Sequence, residues 1–434
     1  VAGFQPTPAW ASDPRLERGH RQMLGREALQ AESTFRSLLR DHADCLPAAQ
    51  ALIMLAADRG DHAGALSIAD AMLRQHPDQA SLHVDQAHLH LAMGQVEQAR
   101  ATLDMVVQRW PAEHVAWLML ADAREACGDD MGALRARWQG ITRAQSAGLW
   151  LDERSTDPGI LDAVRRSVQR LQQDQRACLM ATYDELRRDH GDADLSRVHR
   201  ALTGYLGDWD ATPPDPRQRP KFFYFPDLPP GPYHDPMLHP WAAAWQDSFE
   251  AVRGEALALL AEDRDFESFL GLAPGQKAPD YVGGSNPDAS WDAYFFWRHG
   301  RRFDEHHARC PRTSAALSAI DLCHVERQAP EVCFSVIRPQ STIMPHYGVT
   351  NTRLVMHLPL LIPGDCALHI VDGEAHYWKE GELMLFDDTY QHGAWNHTDQ
   401  PRLIVLMDCW NPHLRPVERV AVKRLIEVID RIQN

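Results

Sequence analysis

The chain has 434 residues, 44% of them apolar, and a formal charge of −16 from 60 acidic against 44 basic side chains. That length exceeds one ordinary core and predicts two or three domains. The acidic balance argues against a general binder of nucleic acid or of anionic membranes, both of which depend on Lys and Arg to meet phosphates.

Eight cysteines (Cys45, Cys127, Cys178, Cys310, Cys323, Cys333, Cys366 and Cys409) include no CxxC pair. Neither a disulfide framework nor a structural zinc site is expected, and a reducing compartment is the simpler reading. The stretch VAGFQPTPAWASDPRLERGH has no apolar core of signal-peptide length, and no later run approaches membrane-spanning length. A cytoplasmic protein without a membrane span is expected.

The first elements are helical and repeat. Gly60-Asp61, Gly94-Gln95 and Gly128-Asp129 recur at a step of 34, as do Ala65, Ala99 and Ala133, with Pro77 and Pro111 in phase. Each unit reads as a helix, a Gly turn that supplies positive φ, and a second helix that ends before Pro. Ala31 places an earlier half-unit, ALQAESTFRSLLRDHAD, in the same phase. The period resembles the tetratricopeptide repeat, with its aromatic positions only loosely kept. Such arrays present a concave face, so a protein or peptide partner is expected; a packing scaffold is the competing reading.

Residues 1–150 are therefore assigned to the repeat domain and 151–219 to a helical connector and Pro-rich linker, with the stretch ATPPDPRQRPKFFYFPDLPPGPYHDP marking the domain junction. Residues 220–434 are assigned to the third region. Within it, residues 240–325 read as helical, with a loop around GGSNPDAS, covering one outer face of the C-terminal strands.

After Glu331 the pattern turns to short strands: VCFSVIR, RLVMHLPLLI, CALHIV, ELMLFD and RLIVLMDCW, separated by Gly, Pro, Asp and Asn. A sandwich or barrel is expected, with a double-stranded β-helix of jelly-roll type as the candidate. The overall fold class is multidomain, α then α+β. In RLVMHL, alternation puts Arg353, Val355 and His357 on one face and Leu354, Met356 and Leu358 on the core face. His346 ends one strand and His392 falls near the end of another, where imidazoles from distant positions can converge on a metal. Most of the 23 histidines need no such role. The DEHHARC stretch, with His306, His307 and Cys310, reads as a solvated segment rather than a metal site.

The runs PHYGVTNTRLVMHLPLLIP and WKEGELMLFDDTYQHGAWNHTDQPRLIVLMDCWNP, preceded by WDAYFFWRHGRRFDEHHARCPRT, resemble the catalytic core of aspartyl/asparaginyl β-hydroxylases from about Phe222 to Pro412. The resemblance implies an Fe(II)- and 2-oxoglutarate-dependent dioxygenase that consumes O2 and hydroxylates an unactivated C–H bond, such as the β-carbon of Asp or Asn in a protein.

It implies iron held by His346 and His392 alone. The commoner facial triad has an acid two positions after its first His, where this chain has Gly348. It makes Arg402 the partner of the cosubstrate's far carboxylate, with Ser335 assisting and His357 and Trp291 as further pocket residues. Asp388 would orient a metal-bound water or a ligand histidine. Relatives often carry Arg at the position of Val355, so Arg353 or Arg302 would have to meet a substrate carboxylate, or the substrate differs. Three competitors remain: a hydroxylase of a lipid or small molecule, a halogenase using the missing carboxylate's place, and an inactive barrel attached to a repeat adaptor.

Overall fold

A computed structural model describes residues 8–271, 281–284, 288–373 and 375–434. The chain divides into two compact units, residues 1–177 with 431–434, and residues 178–430. The connector and linker expected over 151–219 are thus shared between the units. The long helix Leu161–His190 runs through the division.

The first unit is the helical array. Antiparallel helix pairs Leu46–Asp58 with His62–Gln75, Ala80–Ala92 with Val96–Arg109, and His114–Ala126 with Asp130–Ser146 follow the expected period. Pro14–Leu24 completes the earlier half-unit by pairing with Ala28–Asp41. The recurring alanines Ala65, Ala99 and Ala133 are buried, because only a small side chain lets two helices approach there. Asp61 and Asp129 cap their helices by accepting from the Gly64 and Gly132 N–H groups at 2.9 Å. Gln95, at the equivalent place, makes no such cap.

The second unit is mostly antiparallel β. Its strands are β1 (Tyr233–His234), β2 (Glu267–Ser268), β3 (Val282–Gly284), β4 (Trp291–Arg298), β5 (Arg301–Arg302), β6 (Val332–Ile337), β7 (Ser341–His346), β8 (Arg353–Leu361), β9 (Cys366–Ile370), β10 (Ala375–Tyr377), β11 (Met384–Phe386), β12 (His392–Asn396) and β13 (Arg402–Trp410). One sheet has the order β1-β11-β8-β13-β6-β4-β2, with β5 on β4; the other has β10-β9-β12-β7-β3.

One apolar cluster joins the inner faces of the two sheets, through Val355, Phe386 and Ile404 on one side and Ile343, Leu368 and Ala394 on the other. A second cluster packs the larger sheet's outer face, including Leu354, Met356 and Leu358, against the helices Ala242–Asp247 and Phe249–Glu262. The alternation expected for RLVMHL is therefore the one observed.

Two expectations need correction. The region 240–325 is not helical throughout, since β4 runs through WDAYFFWR beside β6. Tyr294 and Phe296 face the helices while Ala293 and Phe295 face the other sheet. A strand apolar on both faces loses the alternation by which strands are recognised. Part of the GGSNPDAS loop lies outside the described residues.

The Pro-rich stretch also does more than link. Phe223 and Phe225 are buried, and the Arg219, Lys221 and Phe222 N–H groups donate to Thr389, Gly348 and Val349 carbonyls. Its aromatic run PKFFYF supplies the apolar surface that holds it on the β unit.

Candidate active site

The site begins with a register. β7 and β12 pair antiparallel with His346 directly opposite His392, so two residues 46 positions apart in sequence sit side by side. His392 opens its strand rather than ending one. The pairing slips between His392 and Ala394. Gly393 sits in that slip, where a Cβ would stand 2.7 Å from the Ile343 carbonyl oxygen. The absence of a side chain lets the strands close there and brings the rings to 4.2 Å between centroids, tilted by 56°.

Each imidazole is oriented by its own strand. The Nδ1–H of His346 donates to the Met344 carbonyl and that of His392 to the Tyr390 carbonyl, both at 2.9 Å. This fixes the tautomer that leaves Nε2 as a lone-pair donor, the arrangement a metal-ligating histidine requires. Burial lowers the pKa of both, that of His392 to about 3 with a further push from His346. Two neutral imidazoles with free Nε2 lone pairs fit a divalent metal. Among the described residues, no group of three or more His, Cys, Asp or Glu could hold one.

Beside the pair lies a cavity lined by Trp291, Ser335, His357, Trp378 and Arg402. Arg402, at the start of β13, is only 2% exposed and forms no ion pair among the described residues. Its guanidinium lies 4.7 Å from the Trp378 ring centroid and donates to the Ser335 carbonyl at 3.3 Å, while its Nε is unpartnered. Burial pulls its pKa down to about 9. Such a charge is costly to bury without an anion, so the cavity suits a carboxylate.

His357 supports the same polarity. Its Nδ1 accepts from Trp378 Nε1 at 3.3 Å, and its buried Nε2 has no partner. Burial first, and then Arg402, hold its pKa well below the ordinary value, so the ring is neutral and Nε2–H is a donor. The Ser335 hydroxyl accepts from Trp291 Nε1 at 2.9 Å, and the Trp291 ring stacks on Phe269 at 3.8 Å.

The structure thus brings His346, His392, Arg402, Ser335, His357 and Trp291 to one cavity. Trp378 was missed by sequence reasoning, because a lone aromatic before a Lys-Glu-Gly turn carries no periodic signal. Asp388 is half-buried, with its carboxyl against Gly348. Arg353 does not line the cavity: it pairs with Asp408 at 2.8 Å. Arg302 is exposed and paired with Asp304.

The DEHHARC histidines are packed rather than solvated. The His306 ring stacks on Tyr294 at 4.1 Å, and buried His307 bonds the Ser314 hydroxyl at 2.8 Å. They belong to a short helix, Asp304–Arg309, whose inner face joins the core behind β4.

Parts of the chain are similar in sequence to known proteins. The profile of the aspartyl/asparaginyl beta-hydroxylase family matches residues 246–412, and that of the tetratricopeptide repeat matches residues 56–123. A mouse aspartate beta-hydroxylase domain-containing protein 2 is 30% identical over 232 residues, 52% of this chain and 64% of that protein. The ornithine lipid ester-linked acyl 2-hydroxylase of Rhizobium tropici is 29% identical over 44% of this chain and 64% of its own length. The mouse aspartyl/asparaginyl beta-hydroxylase is 33% identical over 130 residues, which is 30% of this chain and 17% of that protein. The chain therefore spans less than two thirds of each of these relatives.

Proposed function

We propose that this chain, which carries an aspartyl/asparaginyl beta-hydroxylase domain over residues 246–412 together with tetratricopeptide repeats, is an Fe(II)- and 2-oxoglutarate-dependent dioxygenase. Its reaction is hydroxylation of an unactivated C–H bond, with the β-carbon of an Asp or Asn residue in a protein as the first candidate. The observation that carries this reading is the pairing of two neutral histidines with a buried, unpaired Arg402 in one cavity. An inert barrel has no need of that combination, since a lone buried guanidinium lowers stability unless a ligand compensates it.

His346 and His392 would hold the iron, and Arg402 the far carboxylate of 2-oxoglutarate, with the His357 Nε2–H as a second donor. Iron held there would activate O2, the oxidant, with 2-oxoglutarate as the co-reductant that leaves as succinate and CO2, one oxygen atom going to succinate and the other to the substrate. The protein's part is geometric. Trp291 and Trp378 wall the cavity, and the Met344 and Tyr390 carbonyls fix the tautomer of both rings so that each Nε2 would be available to the metal.

The strand order supports the double-stranded β-helix reading. Counting the eight strands β6 to β13 as one to eight, the larger sheet reads 6-3-8-1 and the smaller 5-4-7-2. Opposed sheets wound in this way make a jelly roll. A reducing, cytoplasmic setting is supported by the eight cysteines, all of them unpaired. No described helix is long and apolar enough to cross a membrane.

A second reading keeps the chemistry and changes the substrate to a lipid or small molecule. It is favoured by Val355, which cannot meet a substrate carboxylate, and by the similarity to a relative named for acyl hydroxylation. The testing experiment is succinate formation from 2-oxoglutarate by anaerobically iron-loaded protein when oxygen is admitted. Slow turnover that vanishes in His346→Ala and His392→Ala is expected. No turnover, together with no 2-oxoglutarate-dependent absorption band on adding Fe(II), would overturn the enzyme reading in favour of an adaptor.

A further inference from the structure

The strap formed by residues 218–223 crosses the segments that carry both histidines. Its Lys221 and Phe222 N–H groups donate to Gly348 (3.2 Å) and Val349 (2.9 Å), just after His346, and its Arg219 N–H donates to Thr389 (2.8 Å), just before His392. Gln218 adds a side-chain bond to Asp387 at 2.7 Å. The backbone that carries Arg219 and Lys221 is thereby fixed to the segments that follow His346 and precede His392.

Among the described residues, neither cation forms an ion pair. The Arg219 guanidinium lies 6.0 Å from the ring centroid of Tyr347, the residue after His346, and its Nε bonds only the Pro216 carbonyl. Lys221 is exposed and forms no ion pair among the described residues, and its backbone N–H bonds the Gly348 carbonyl, two residues after His346. The nearby Arg217 differs, because Asp215 neutralises it at 2.7 Å. Only four lysines occur in the whole chain, against 60 acidic residues, so an unpaired one beside the site stands out from the general surface.

We infer that Arg219 and Lys221 are specificity-determining residues, and that the substrate they select is an acidic peptide segment whose carboxylate they receive at the mouth of the cavity. Each is held by a bonded backbone but carries an uncommitted charge, which suits recognition of an incoming anion. A peptide is favoured over a lipid on two grounds. The chain carries repeats of a protein-binding type, and Met344 is the only exposed large apolar side chain on the two histidine-bearing strands. The inference rests on the proposed site but is tested apart from it.

The test is fluorescence anisotropy of the full chain, under nitrogen with Fe(II) and 2-oxoglutarate, titrated into two labelled peptides. One carries Asp-Asp in a Gly-Ser background and the other Asn-Asn. The acidic peptide should bind more tightly, weaken as salt rises, and lose at least tenfold in affinity in the Arg219→Glu/Lys221→Glu variant. Arg219→Gln/Lys221→Met, with thermal melts of both variants, separates lost charge from lost folding, since the strap is held by backbone N–H groups. Equal binding of the two peptides, no binding of either, or equal affinity in wild type and the charge-reversed variant would overturn the inference. So would binding of phosphatidylglycerol vesicles in place of the acidic peptide. A missing Fe(II)/2-oxoglutarate absorption band in the wild type counts against the enzyme reading instead.

Discussion

The carboxyl group of Asp388 lies 2.1 Å from the point where a Cβ on Gly348 would stand. Residue 348 is two positions after His346, where a facial triad would carry its acid. Here a carboxyl from another segment already fills that space, so a side chain at 348 can be placed only if Asp388 is displaced.

Rebuilding the triad should therefore cost stability. Gly348→Asp and Gly348→Ala should each destabilise the protein by about 1–3 kcal/mol through overpacking against Asp388. Removing the opposing group in Gly348→Ala/Asp388→Gly should recover much of that loss. A double-mutant cycle from urea unfolding reads the coupling. Additivity within about 0.5 kcal/mol would show that the two positions do not compete for space.

Asp388 also makes a pH prediction. Burial pushes its pKa up to about 7, against the pull of Arg353, and its Oδ1 has no partner. With a folded pKa above the unfolded one, the native state binds the extra proton, so this group favours folding at low pH. That contribution is lost as pH rises from about 4 to 7. His392 acts in the opposite sense, since its folded pKa of about 3 costs native stability as pH falls below about 6.5. Subtracting the Asp388→Asn curve isolates the carboxyl. Wild type minus variant should fall by a few kcal/mol between pH 4 and 7 in denaturant titrations at stepped pH. A flat difference would mean that Asp388 is ionised throughout.

Much of the fold was readable from sequence where the signal is local or periodic. The step of 34 marks the helix pairs, because each pair needs its own turn glycine and close-packing alanine. The alternation in RLVMHL places Val355 and His357 on the inner face because strands have a period of two. What escaped depends on pairing across long sequence gaps. Composition reads residues 211–236 as a linker, and nothing local shows that Arg219 and Lys221 will bond to segments more than 100 residues away. Trp378 beneath Arg402 and Asp388 against Gly348 are likewise tertiary contacts between residues that look ordinary one at a time.

The repeat glycines provide a test of backbone conformation with no packing contribution. Gly94 sits at φ +72°, and a Cβ added there would have nothing within 4 Å. Any cost of Gly94→Ala is then conformational, about 1 kcal/mol for a left-handed non-glycine residue. Urea unfolding followed by far-UV circular dichroism should show that loss, with Gly94→Asn falling between because Asn tolerates this region better. No change in Gly94→Ala would mean that the turn relaxes to a right-handed form.

Arg402 allows stability and ligand affinity to be separated. Its guanidinium is buried against Trp378 with no carboxylate partner among the described residues, so the folded protein bears a desolvation cost that an anionic ligand would relieve. Arg402→Met keeps most of the volume and removes the charge. In the absence of ligand, its melting temperature should match or exceed that of the wild type, whereas truncating a core residue such as Leu358→Ala should cost about 2–5 kcal/mol. The same variant should lose 2-oxoglutarate affinity by at least 100-fold, since truncating one partner of a buried charge-assisted pair costs roughly 3 kcal/mol or more. Anaerobic titration of the metal-loaded protein and differential scanning calorimetry measure the two quantities separately. A less stable Arg402→Met with unchanged cosubstrate affinity would assign the residue to packing and leave the cavity without its anion anchor.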